Sequence, residues 1–140
     1  MTTPARTSIS AFPRGHEFPP ASFSVSADRV AAYLRATGDD GDYAGCVPPL
    51  AAVALGLAAL QEQVSLPEGS LHTGQEVEHL AVAREDEELT FAARVAQRSE
   101  RQGFVISVIE FEIAGGASTA VRARTTIMAP AGRPVGAAGA

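Results

Sequence analysis

The spacing of hydrophobic positions changes character along the chain. Ser22-Phe23-Ser24-Val25-Ser26 alternates and suits a short strand, after which Val30, Ala31, Tyr33 and Leu34 recur at helical spacing. Ser26 stands where a helix cap belongs and Gly38 where a left-handed end belongs, so a helix is predicted from about Ala27 to Gly38. Next comes PPLAAVALGLAAL, from Pro48 to Leu60, opened by prolines and apolar on every side. A helix with no polar face is expected to be enclosed rather than laid on a surface. From there on the period falls to two, predicting strands over Leu71–Val82, Leu89–Arg98, Phe104–Ile113 and Ser118–Met128.

The strand faces can be read from the same alternation. Val105, Ile109, Phe111 and Ile113 share one face, and Glu110 and Glu112 the other. A turn at Ala114-Gly115-Gly116-Ala117 makes the last two strands antiparallel, which sets Glu110 and Glu112 against Arg122 and Arg124 as a charge ladder on the solvated face. His72 and His79 are an odd number of residues apart, so a regular strand points them to opposite sides. His79 goes with Val77 and Ala81 to the inside, and His72 with Glu76 and Glu78 to the outside; a bulge would reverse this. The predicted class is α+β: a single hot-dog domain, in which a curved antiparallel sheet wraps a buried apolar helix. The domain is expected over 15–129. Before it comes an irregular N-terminal arm, 1–14, with Pro4 and Pro13, and after it a flexible tail, 130–140, of small residues.

Composition narrows the function classes. A length of 140 residues fits one domain, and a net charge of −5 without an arginine stripe argues against a nucleic-acid partner. Every basic residue other than histidine is arginine and asparagine is absent, the bias of a GC-rich genome. The charge-free run Tyr43–Gln61 approaches bilayer length, but Gly45, Pro48, Pro49 and Gly56 interrupt it, so no membrane partner is expected. The single cysteine, Cys46, cannot form an internal disulfide and no signal peptide is seen, which points to the cytoplasm.

Between the two helices lies ATGDDGDYAGCVPP, with three carboxylates, Asp39, Asp40 and Asp42, just past a helix C-terminus that disfavours negative charge. Their spacing only loosely resembles a calcium loop and lacks the distant glutamate, so no metal is expected. Cys46 precedes a helix start, where a thiolate would gain from the helix dipole; the alternative is a small core residue.

In chain order, Gly15-His16-Glu17-Phe18-Pro19-Pro20, Tyr33-Leu34-Arg35-Ala36-Thr37-Gly38-Asp39, Val47-Pro48-Pro49, Leu71-His72-Thr73-Gly74-Gln75 and Ala123-Arg124-Thr125-Thr126-Ile127 resemble the MaoC-like hydratases and dehydratases. The similarity is strongest to an N-terminal MaoC-like dehydratase domain and spans roughly Gly15 to Met128. It implies water addition to, or removal from, an acyl thioester on coenzyme A or a carrier protein, in fatty-acid or polyketide metabolism, with no cofactor. Hydratases of that family carry Gly-Asp-x-Asn-Pro-x-His, whose aspartate and histidine activate the water. Here Gly38 and Asp39 match, Gly41 replaces asparagine, Asp42 replaces proline, and Ala44 stands in the histidine's place. The resemblance makes Asp39 a general base or water-orienting group, against a turn aspartate bonding its own backbone. His72 or His79 becomes the substitute proton carrier, and Asp40, Asp42, Tyr43, Cys46 and Val47 the substrate-binding loop. Asp40 and Asp42 read otherwise as solvated turn residues, and Tyr43 either donates to the thioester carbonyl or packs over the loop. Three functions are compatible with a lost histidine: an enzyme with a recruited histidine, a non-catalytic subunit whose related partner brings the Asp/His pair, or a cavity turned to cyclisation or rearrangement of a natural product. Exposed sheet edges favour a homodimer, with a heterodimer of related hot-dog subunits as the alternative.

Overall fold

The computed structural model describes residues 6–116 and 118–131. A 3-10 turn, Ile9–Ala11, leads to strand β1, Ala21–Phe23, and helix α1, Ala27–Thr37. Helix α2, Pro49–Gln63, is followed by strands β2, Leu71–His79, β3, Leu89–Arg101, β4, Phe104–Gly115, and β5, Ser118–Pro130. The strands form one antiparallel sheet in the order β1-β3-β4-β5-β2. The predicted strands thus exist, with β1 confined to Ala21–Phe23 and ending before Ser24, β2 ending three residues earlier than expected, and β3, β4 and β5 running longer.

Local chemistry sets the ends of α1 as the sequence indicated. Ser26 Oγ accepts from Arg29 N at 3.2 Å, and Gly38 closes the helix at φ 68°. The β4–β5 register places Glu110 against Arg124 and Glu112 against Arg122. Arg124 Nε and Arg122 Nε each donate to these carboxylates at 3.0 Å, and Arg94 on β3 bonds the other oxygen of Glu110. The hairpin turn expected at 114–117 includes Ala117, which lies outside the described residues, as do 1–5 and 132–140 of the expected arm and tail.

Opposite the ladder, the sheet packs Phe91, Val95, Ile109, Phe111, Ile113, Val121 and Ala123 onto α2. Phe91 and Phe111 meet with ring centroids 5.4 Å apart. The helix comes close to β4 at Gly56, where a Cβ would lie 3.0 Å from both Ile113 Cδ1 and Phe111 Cε2. The described part of the expected arm is packed down: Ile9 is fully buried, and its N–H donates to Ser65 O at 2.9 Å.

Two expectations change. Helix α2 is enclosed on one side only: Ala51, Ala52, Val53, Gly56 and Leu60 are buried, while Leu50 is 62% exposed and Ala54 and Ala58 are open to solvent. One sheet has one inner face and covers one side of a cylinder, so the far side stays bare. The second change concerns His72. A bulge between His72 and Gly74 shifts the β2 register, so His72 stands opposite Ile127 and joins His79, opposite Val121, on the inner face.

Candidate functional site

The loop after α1 is built from its own side chains. Asp39 Oδ1 accepts from Gly41 N at 2.8 Å, and Asp39 Oδ2 accepts from the Tyr43 hydroxyl at 2.6 Å. Asp42 Oδ1 accepts from Ala44 N at 2.9 Å. Such bonds let aspartates shape tight turns, and they carry Ala44 to φ 53°, in the left-handed region. Gly41 is needed for the first pair, since a Cβ there would lie 3.0 Å from Asp39 Oδ1 and 3.2 Å from Tyr43 Cε2. A glycine at this position leaves the room in which the tyrosine ring reaches Asp39.

This bonding sets the electrostatics of Asp39. The Tyr43 hydroxyl first, and the Gly41 N–H after it, hold its carboxyl below the usual aspartate range. The same bond raises the Tyr43 phenol above its ordinary value. A carboxylate so stabilised as an anion is a weak base.

The rest of the loop is tied to the segment after β2. Val47 N donates to Ala83 O at 2.7 Å and Glu85 N to Gly45 O at 3.0 Å. These ties set the loop across the end of β2 and the start of α2, and between them opens a cleft of about 520 Å³. Asp42, Tyr43, Cys46 and Val47 line it from the loop, Pro49 and Ala52 from α2, and His79 from β2. The N-terminus of α2 has no side-chain cap, but Pro48 and Pro49 carry no N–H and Ala51 N donates to Pro48 O at 3.0 Å, so what reaches this end is the positive end of the helix dipole rather than a row of free donors.

Of the candidate residues, the structure brings Asp42, Tyr43, Cys46, Val47 and His79 together. Asp39 stands behind Tyr43 as its bonding partner, and Asp40 is exposed and does not line the cleft. His72 lies at the other end of β2, in a different pocket. Ala81, expected on the inside with His79, lines the cleft too, as do Leu80, Val82 and Ala83, which were not singled out from the sequence; their unbroken apolar run after His79 was the available signal. No group of three metal-binding side chains is found among the described residues. A larger hollow of about 700 Å³ lies over the outer ladder of Arg94, Glu110, Arg122 and Arg124, whose charges already satisfy one another.

No family profile and no curated protein sequence matches the chain. Solved structures do share its fold. The (R)-hydratase from A. caviae involved in PHA biosynthesis is 19% identical, with a TM-score of 0.71 over 86% of this chain and 98% of that one. The MaoC-like dehydratase from Rhodospirillum rubrum is 15% identical, with a TM-score of 0.71 over 90% and 97%. The C-terminally truncated HadBC complex, a 3R-hydroxyacyl-ACP dehydratase from Mycobacterium tuberculosis, is 18% identical, with a TM-score of 0.66 over 86% and 99%. The fold is therefore the hot-dog fold shared by these hydratases and dehydratases.

Proposed function

We propose that this chain is a MaoC-like hydratase or dehydratase that adds water to, or removes it from, an acyl thioester borne by coenzyme A or a carrier protein. The observation that carries the reading is the shared cleft: a degenerate hydratase loop and His79, a solvent-exposed histidine on the inner face of edge strand β2, line one hollow beside the N-terminus of α2. Fatty-acid or polyketide metabolism in the cytoplasm is the setting that suits such a substrate.

In the hydration direction, neutral His79 takes a proton from water as the water oxygen bonds the β-carbon. The double-bond electrons move toward the thioester carbonyl, whose growing negative charge faces the positive end of α2. His79 then returns the proton to the α-carbon, and atoms and charge balance. Tyr43 spends its hydrogen on Asp39, so its oxygen keeps lone pairs that can accept from the attacking water. Asp39 acts as a positioning residue for Tyr43. Asp42, Cys46 and Val47 form the substrate wall.

The bare side of α2 supports pairing with a second copy of this chain. Leu50 is 62% exposed and Ala54 and Ala58 are open to solvent, an apolar surface left without cover. A second reading rests on Ala44 in the histidine's place: the chain is the non-catalytic half of a pair with a related hot-dog subunit.

Turnover of a short enoyl-CoA by the purified chain, followed by loss of enoyl absorbance, tests the proposal. Activity of the chain alone supports it. Inactivity alone with activity on adding a related subunit transfers the chemistry to that partner, and inactivity in both rules the reaction out.

A further inference from the structure

At the opposite end of α2 lies a second pocket, of about 180 Å³, walled by Leu60, Val64 and Ile127 and carrying the polar groups of Ser70, His72 and Thr125. His72 precedes His79 by seven residues of β2, roughly 20 Å of extended strand, so this is a separate place from the loop cleft.

Its polar groups have a common property. Gln75 is locked by its amide nitrogen, which donates to Glu76 O and Arg124 O, both at 3.1 Å. Its Oε1 therefore faces the other way and can only accept. Thr125, fully buried, donates its hydroxyl hydrogen to that oxygen at 2.8 Å. His72 Nε2 lies 3.1 Å from the same oxygen, which needs a proton on Nε2, so in the neutral ring Nδ1 is the acceptor. Ser70 donates its hydroxyl hydrogen to Pro67 O at 2.6 Å. Thus each of these three groups has committed its hydrogen elsewhere and retains lone pairs. The remaining polar lining residue, Gln61, is exposed and can donate or accept, so it does not discriminate. No carboxylate lines the pocket to pair with a cation.

From this we infer that the pocket is a binding site for a neutral hydrogen-bond donor on a compact apolar body, an alkyl or aryl alcohol group. Size agrees, since an engineered apolar cavity of about 150 Å³ holds benzene. With the His72 ring neutral, an anion would meet only lone pairs here, and an ammonium no counter-charge.

The probes are phenol, benzene and anisole, which share a ring and differ in the donor. They are titrated into the full chain carrying 15N-labelled histidine. Phenol is expected to bind roughly three- to tenfold more tightly than benzene or anisole, the worth of one hydrogen bond, and to shift the His72 Nδ1 resonance. His72→Phe, which assigns that resonance, should bring phenol down to the affinity of benzene. Equal affinities for the three probes, a shift confined to His79, or no saturable phenol binding would overturn the inference. Hydratase activity is not the readout, so this site can fail without the proposed reaction failing, and the reverse.

Discussion

Tyr43 and Asp39 are joined by one short bond, and that bond decides what the loop aspartate can do. The lowered Asp39 carboxyl contributes stability that is present in full above the ordinary aspartate range and is lost as pH falls through its lowered value. The raised Tyr43 phenol contributes stability present below the ordinary tyrosine range and lost as pH rises through its raised value. Tyr43→Phe should therefore move the Asp39 titration, followed by carboxyl 13C NMR, up toward the ordinary range; an unmoved midpoint would count against the bond. The crowding of Asp39, Asp40 and Asp42 was plain in the sequence, but their unequal roles were not. Those depend on a tyrosine ring folding back over Gly41 and on Ala44 taking a positive φ, neither of which residue type alone specifies.

Among the elements, the strands and α1 were legible because burial on one face leaves a period in the sequence. The charge ladder followed from that period once the turn between β4 and β5 was recognised. The side on which His72 lies was not legible, because a bulge adds one residue without changing the local pattern. Gly56, one of the residues that interrupt the charge-free run, is where an added Cβ would press on β4. Ile113 and Phe111 are fully buried and cannot retreat from an added methyl. Overpacking costs about 1–3 kcal/mol and the helix gains about 1 kcal/mol from alanine, so Gly56→Ala should destabilise by roughly 1 kcal/mol in urea unfolding. A stabilised variant would show that the contact is loose.

On the scale of the whole molecule, α2 was expected to be enclosed because it has no polar face, and a single sheet leaves half of that demand unmet. Apolar composition states that a surface must be covered without saying by what. If a second copy covers it, sedimentation should give twice the 14.4 kDa chain mass, and Ala58→Glu, on the bare side of α2, should give a folded single chain. The mass of one chain for the unaltered protein would exclude the homodimer. The fold, the loop side of the cleft and the inward side of His79 were thus readable from periodicity and motif order, whereas the choice of His79 over His72 as the histidine beside the loop needed the three-dimensional arrangement. That pairing is the centre of the account, and the most direct measurement is kcat for hydration of a short enoyl-CoA by the unaltered chain and by His79→Gln, with folding checked by circular dichroism. A fall of about a hundredfold or more in kcat is predicted for a lost proton carrier, with KM changed far less. An unchanged kcat in the folded variant would contradict it.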